Sequence, residues 1–121
     1  MGRGWGIGQG KAGIRTAQAD YTAVQTDVSL VAAPGAGYSI HVHRFQLSSD
    51  VNGAAFLEST TTQLGREVRA GAGQDGGWDE CDFAAADNAA LPITTDIAGN
   101  HSVYVEYSVR RRGDSSSPQP T

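Results

Sequence analysis

Ser102-Val103-Tyr104-Val105-Glu106-Tyr107-Ser108-Val109 is the stretch that decides the fold. Val103, Val105, Tyr107 and Val109 fall on one side of an extended chain, and Ser102, Tyr104, Glu106 and Ser108 on the other. Successive strand side chains point to opposite faces, so this beat of two marks a strand with one covered and one open face. Upstream the same beat recurs. Val28, Leu30 and Ala32 share a face of residues 27–32, which stop at the breaker-rich Ala33-Pro-Gly-Ala-Gly37. Residues 38–48 carry their apolar phase at Ile40 and Val42 and again at Phe45 and Leu47, so the beat slips once at His43-Arg44. A β-bulge there accounts for the slip.

The remaining segments are shorter. Residues 48–53 read as a turn with a hairpin signal at Asn52-Gly53, and residues 54–62 as a third strand ending in threonines. A weaker segment at 64–70 precedes a glycine-rich loop at 71–77. Residues 78–83 read as one short strand, 84–91 as a loop or helical turn, and 92–97 as another strand. Short strands about ten residues apart, without a convincing helix, predict an all-β fold: a small antiparallel β-sandwich, jelly-roll-like in type.

A chain of 121 residues is one domain by size, but its core will be thin, because 16 glycines and many Ala, Ser and Thr leave few large apolar side chains. Thin cores are often completed by oligomerisation. Charge is distributed unevenly. Residues 20–109 hold 12 acidic residues against Arg44, Arg66 and Arg69, while both ends are basic. The sequence thus divides into a glycine-rich basic arm (1–19), a sandwich (20–110) and a Ser/Pro tail (111–121). Arg3, Trp5, Ile7, Lys11 and Arg15 in the arm, with Arg110, Arg111 and Arg112 after the last strand, are the candidate partner-binding residues. Basic arms on an acidic body suit acidic partner surfaces, and Trp5 is the aromatic anchor such an arm would use. The body itself would repel nucleic acid, so none is expected as a partner.

Cys81 is the one cysteine, which excludes an internal disulfide. The opening Met1-Gly-Arg-Gly-Trp-Gly-Ile has no apolar core of a secretory signal, and no stretch approaches the roughly 20 apolar residues of a membrane span. The expectation is a soluble chain made in a cytoplasm, with no membrane partner.

Chemical motifs are weak throughout. His41 and His43 share a strand face, and with His101 or Asp79-Glu-Cys-Asp82 they offer metal-ligand types, the least poor form of an enzyme reading. Their spacing fits no established metal signature, so no metal, cofactor or catalytic residue is expected. Gly8-Gln-Gly-Lys-Ala-Gly13 matches a dinucleotide fingerprint, but no strand precedes it and no βαβ unit follows. Arg112-Gly-Asp114 is the tripeptide of some integrin ligands, and a run of arginines before Gly-Asp generates it cheaply.

The stretch Val24-Gln-Thr-Asp-Val-Ser-Leu-Val-Ala-Ala-Pro-Gly-Ala-Gly-Tyr-Ser-Ile-His-Val42, then Leu47-Ser-Ser-Asp50 and Ala55-Phe-Leu-Glu-Ser59, resembles small tailed-bacteriophage virion proteins. The resemblance covers about residues 22–109 and excludes both basic ends. It implies a β-sandwich, often trimeric, that decorates or cements a capsid by binding the major capsid protein on its outer surface. It also allows a tail-fibre or spike module that recognises host glycan or protein. The loops 33–37, 48–53 and 71–77, with Trp78 or Tyr38 for stacking, would serve that second role.

Overall fold

The structure, a computed structural model, describes residues 13–71 and 74–111. These form nine strands: β1 (Arg15–Tyr21), β2 (Gln25–Val31), β3 (Tyr38–Ser49), β4 (Gly53–Ser59), β5 (Thr62–Ala70), β6 (Gly76–Trp78), β7 (Phe83–Ala84), β8 (Leu91–Thr95) and β9 (His101–Arg111). One antiparallel sheet runs β1-β9-β3-β6, with β7 also on β3, and the other runs β2-β8-β4-β5. Apart from the β4–β5 hairpin and the β6 and β7 pair on β3, successive strands change sheet as a jelly roll winds, so the expected all-β sandwich is what the chain forms.

The core lies where the inward phases of the two sheets meet. Val103 and Val105 of β9 face it, as do Ile40, Val42, Phe45 and Leu47 of β3. Leu57, Leu91 and Ile93 oppose them from the second sheet. Each such side chain gives about 1.5–3 kcal/mol on burial. β3 keeps four apolar residues inward across an odd step because its register on β9 shifts between Val42 and Arg44. This is the bulge that the slipped beat requires.

Five expectations about the strands need correction. Residues 15–19, read as arm, form most of β1, which pairs along β9 from Arg15↔Tyr107 to Tyr21↔His101. Alanines at 17 and 19 fill its inward positions, so the strand carries no strong apolar beat. At the other end β9 runs on to Arg111, one residue into the expected tail. Asn52-Gly53 does not close a hairpin, because β3 and β4 lie in different sheets. Gly53 is needed instead for close approach, since a Cβ there would run into Ile97. The true hairpin is β4–β5, turned at Thr60-Thr61 with Thr60 at φ 61°. Two β-branched residues disguised that turn as strand.

The single strand expected over 78–83 is two. β6 pairs Phe45–Leu47, and β7 pairs His41 and Val42. The gap between them falls opposite the β3 bulge, where the ladder is broken. Residues 79–82 leave the sheet there.

Candidate docking end of the sandwich

β1 begins opposite Tyr107, and β9 continues past that point to Arg111, which lies opposite Tyr38 at the start of β3. The start of β1 and the end of β9 therefore share one end of the sandwich. Arg15, Arg110 and Arg111 are brought together at that end from opposite ends of the sequence. Arg3, Trp5, Ile7, Lys11 and Arg112 lie outside the described residues.

Between these strands and the end of β2 lies an open groove of about 460 Å³. Val31 to Pro34 form one wall, Tyr107 and Val109 the other, with Tyr38 and Arg15 at the margin. The loop after β2 is fixed from across the sheet: Gly35 N donates to Asn88 Oδ1 at 2.9 Å, and Gly37 N to Asp87 Oδ1 at 3.1 Å. Tyr38 N closes the turn by donating to Gly35 O at 3.1 Å. Arg15 and Arg111 are exposed, Arg111 with an interaction of its own. Arg110 is committed within the molecule, its guanidinium 3.1 Å from Asp82 Oδ2.

That ion pair belongs to a polar network on the outer face of the first sheet. His41 Nδ1 lies 2.8 Å from Asp82 Oδ1, and His41 Nε2 lies 3.2 Å from Ser39 Oγ. A carboxylate only accepts, so Nδ1 carries the proton and Nε2 accepts from Ser39. His43 repeats the pattern, donating from Nδ1 to Cys81 O at 3.0 Å and accepting from Ser108 Oγ at 2.9 Å. Two imidazoles thus clamp residues 81 and 82 onto β3. Burial works against the Asp82 charge. The hydrogen bond from His41 and the nearby Arg110 charge, with the two imidazoles beside it, outweigh it and hold its carboxyl below the usual range.

Ser39, His41 and Asp82 are linked in the order of a serine-nucleophile relay. Both serines of the network are buried, Ser39 with 8 % of its surface exposed, and Asp82 is shared with Arg110. The arrangement acts as a clamp.

His101 does not join His41 and His43. It is inward on β9, 3 % exposed, with Nδ1 donating to Gly99 O at 2.8 Å and Nε2 3.1 Å from Thr95 Oγ1 of the opposite sheet. The histidine trio is thus split between the interior and the outer face. Trp78 is no stacking platform. It is 5 % exposed, edge-on to Phe45 and Phe83, with Nε1 donating to Arg66 O at 3.2 Å.

A second polar cluster spans β2, β8 and β4. Asp27 N donates to Thr94 Oγ1 at 3.0 Å, and that hydroxyl lies 3.3 Å from Asp27 Oδ1 and 2.8 Å from Glu58 Oε1. Sequence reading missed this cluster, and it grouped His41 with residues 79–82 only as metal-ligand types, not as the hydrogen-bonded pair His41–Asp82. His41 and Asp82 are 41 positions apart, and only the β6–β7 fold-back onto β3 joins them. Compared with known proteins, the chain matches no family model and no curated protein.

Proposed function

We propose that the chain is a non-enzymatic structural subunit of a tailed-bacteriophage virion, a capsid decoration or cement protein. In this reading it forms a homotrimer on the outer surface of the shell and binds the major capsid protein at subunit junctions, without a cofactor. The observation that carries it is the gathering of Arg15 and Arg111 at one end of an otherwise acidic jelly roll, beside an open groove. Lys11 and Arg112 lie close to Arg15 and Arg111 in the sequence. A basic, groove-bearing end suits an acidic shell surface, and complementary charge speeds and orients docking.

The test is binding of the full chain to purified shells. Arg15→Glu with Arg111→Glu should weaken it at least about tenfold, and the loss should shrink as salt screens the wild type. Undiminished occupancy by this variant refutes the reading. The tail-fibre or spike reading retains exposed Tyr38 at the groove. Hundreds of copies per virion mean decoration, and a handful mean tail.

A further inference from the structure

β1 and β2 face each other along one edge of the sandwich, and neither contributes a fully buried residue. Their inward phase is nonetheless apolar. Ala19 and Tyr21 from β1 meet Val28, Leu30 and Val31 from β2, all half-buried against the core. One strand further in, Val105 of β9 and Ile93 of β8 are fully covered. β1 pairs with β9 on one side, and among the described residues no strand pairs its other edge. A half-open apolar seam beside an unpaired strand edge invites stray pairing unless something covers it.

We propose that residues 3–7 of this chain's own N-terminal segment cover the seam by adding to the outer edge of β1 as a further strand. Trp5 and Ile7 are then its plugs. Spacing is the first support. Trp5 and Ile7 are two apart, so an extended segment presents both on one face, and Gly4, Gly6 and Gly8 fall on the other.

Connection and reach are the second. Twelve residues precede Gly13, enough to extend about 40 Å, well beyond the 7-residue β1. Three-residue hairpin loops commonly end in a left-handed residue, and Gly13 holds φ 87° two residues before β1. A loop of Lys11-Ala12-Gly13 pairs Gly10 with Ile14. Counting back from there sets Ile7 opposite Ala17 and Trp5 opposite Ala19. The apolar side chains of the segment thereby meet the smallest of the strand.

Charge is the third. β1 ends and β2 begins at the far end of the seam, where Asp20 and Asp27 lie, and the same register carries Arg3 there. Backbone pairing along the edge supplies affinity, and alternate side chains entering the seam supply register. The inference stands apart from the capsid reading, because the edge needs covering in a chain that binds no shell.

Amide hydrogen exchange on the full chain tests it, comparing wild type with a Trp5→Ala, Ile7→Ala double variant. The β1 amides not taken by β9 should exchange slowly in wild type and at least about tenfold faster in the variant. Amides of β3 and β9 serve as the control that the body is folded. Trp5→Phe should restore most of the protection. Equal β1 exchange in wild type and the double variant overturns the proposal. Protection that grows with protein concentration also overturns it, because the added strand then comes from a second copy.

Discussion

Glu58 of β4, with 4 % of its surface exposed, accepts a hydrogen bond from the Thr94 hydroxyl of β8 at 2.8 Å. That hydroxyl has one hydrogen, yet Asp27 Oδ1 lies 3.3 Å from it on the other side. Two carboxyl groups therefore compete for a single donor. Burial, with the nearby Asp27, pushes the Glu58 carboxyl above its ordinary value, and the Thr94 hydrogen bond offsets this in part.

The stability this gives has a definite sign. A carboxyl raised in the folded state adds stability that is full below its unfolded pKa and is lost as pH rises through the folded one. Melting temperature should therefore decline on moving from acid to neutral pH through this group. Glu58→Gln, which keeps the shape and removes the charge, should flatten that part of the curve and melt higher than wild type at neutral pH. Thermal melts across that range check it, and parallel curves for the two proteins would refute it.

Asp82 has the opposite sign. Its carboxyl is held low, so its contribution is present above the ordinary carboxylate value and is lost as pH falls through the folded one. Asp82→Asn removes a charged acceptor from the buried His41 ring and should cost about 1–3 kcal/mol in denaturant unfolding at neutral pH. The gap between variant and wild type should close in strong acid.

Trp78 is predicted to behave as core. Trp78→Ala should cost about 3–5 kcal/mol, measured by urea unfolding, since it empties the slot between Phe45 and Phe83. A loss near zero would contradict its burial.

Two glycines separate backbone strain from packing. Gly37 holds φ 88° with open space around its Cα, so Gly37→Ala should cost only the left-handed penalty, about 1–2 kcal/mol. Gly65 holds φ 77°, and a Cβ there would come within 2.9 Å of Trp78 Cζ2 and 3.3 Å of Phe83. Gly65→Ala should therefore be the more damaging of the two in the same unfolding assay.

The homotrimer is tested by light scattering on the isolated protein at micromolar concentration. A trimer mass is expected. A dimer overturns the symmetry, and a monomer overturns the argument that the thin core needs neighbours.

What the sequence made legible is what periodicity carries locally. β9 and the bulge of β3 were readable because Val103, Val105, Ile40, Val42, Phe45 and Leu47 are large and regularly placed. β1 was not, because alanine marks an inward position only when its neighbours are known. Asn52-Gly53 misled because a turn signal does not say which sheet receives the next strand. The basic end was half legible. Charge singled out Arg15, Arg110 and Arg111, but nothing local showed that Arg110 would be taken up by Asp82.

The pairing of β1 with β9 also sets the order in which the protein is completed. Asp20 Oδ1 accepts from Ser102 Oγ across 82 positions of sequence, and the whole length of β1 depends on a strand synthesised long after it. On the ribosome, β1 must wait exposed until β9 emerges. The sheet then closes by joining distant segments, a slow route compared with local hairpins. A chain built this way finishes its basic end last, so the surface bearing Arg15 and Arg111 forms only once β9 is made.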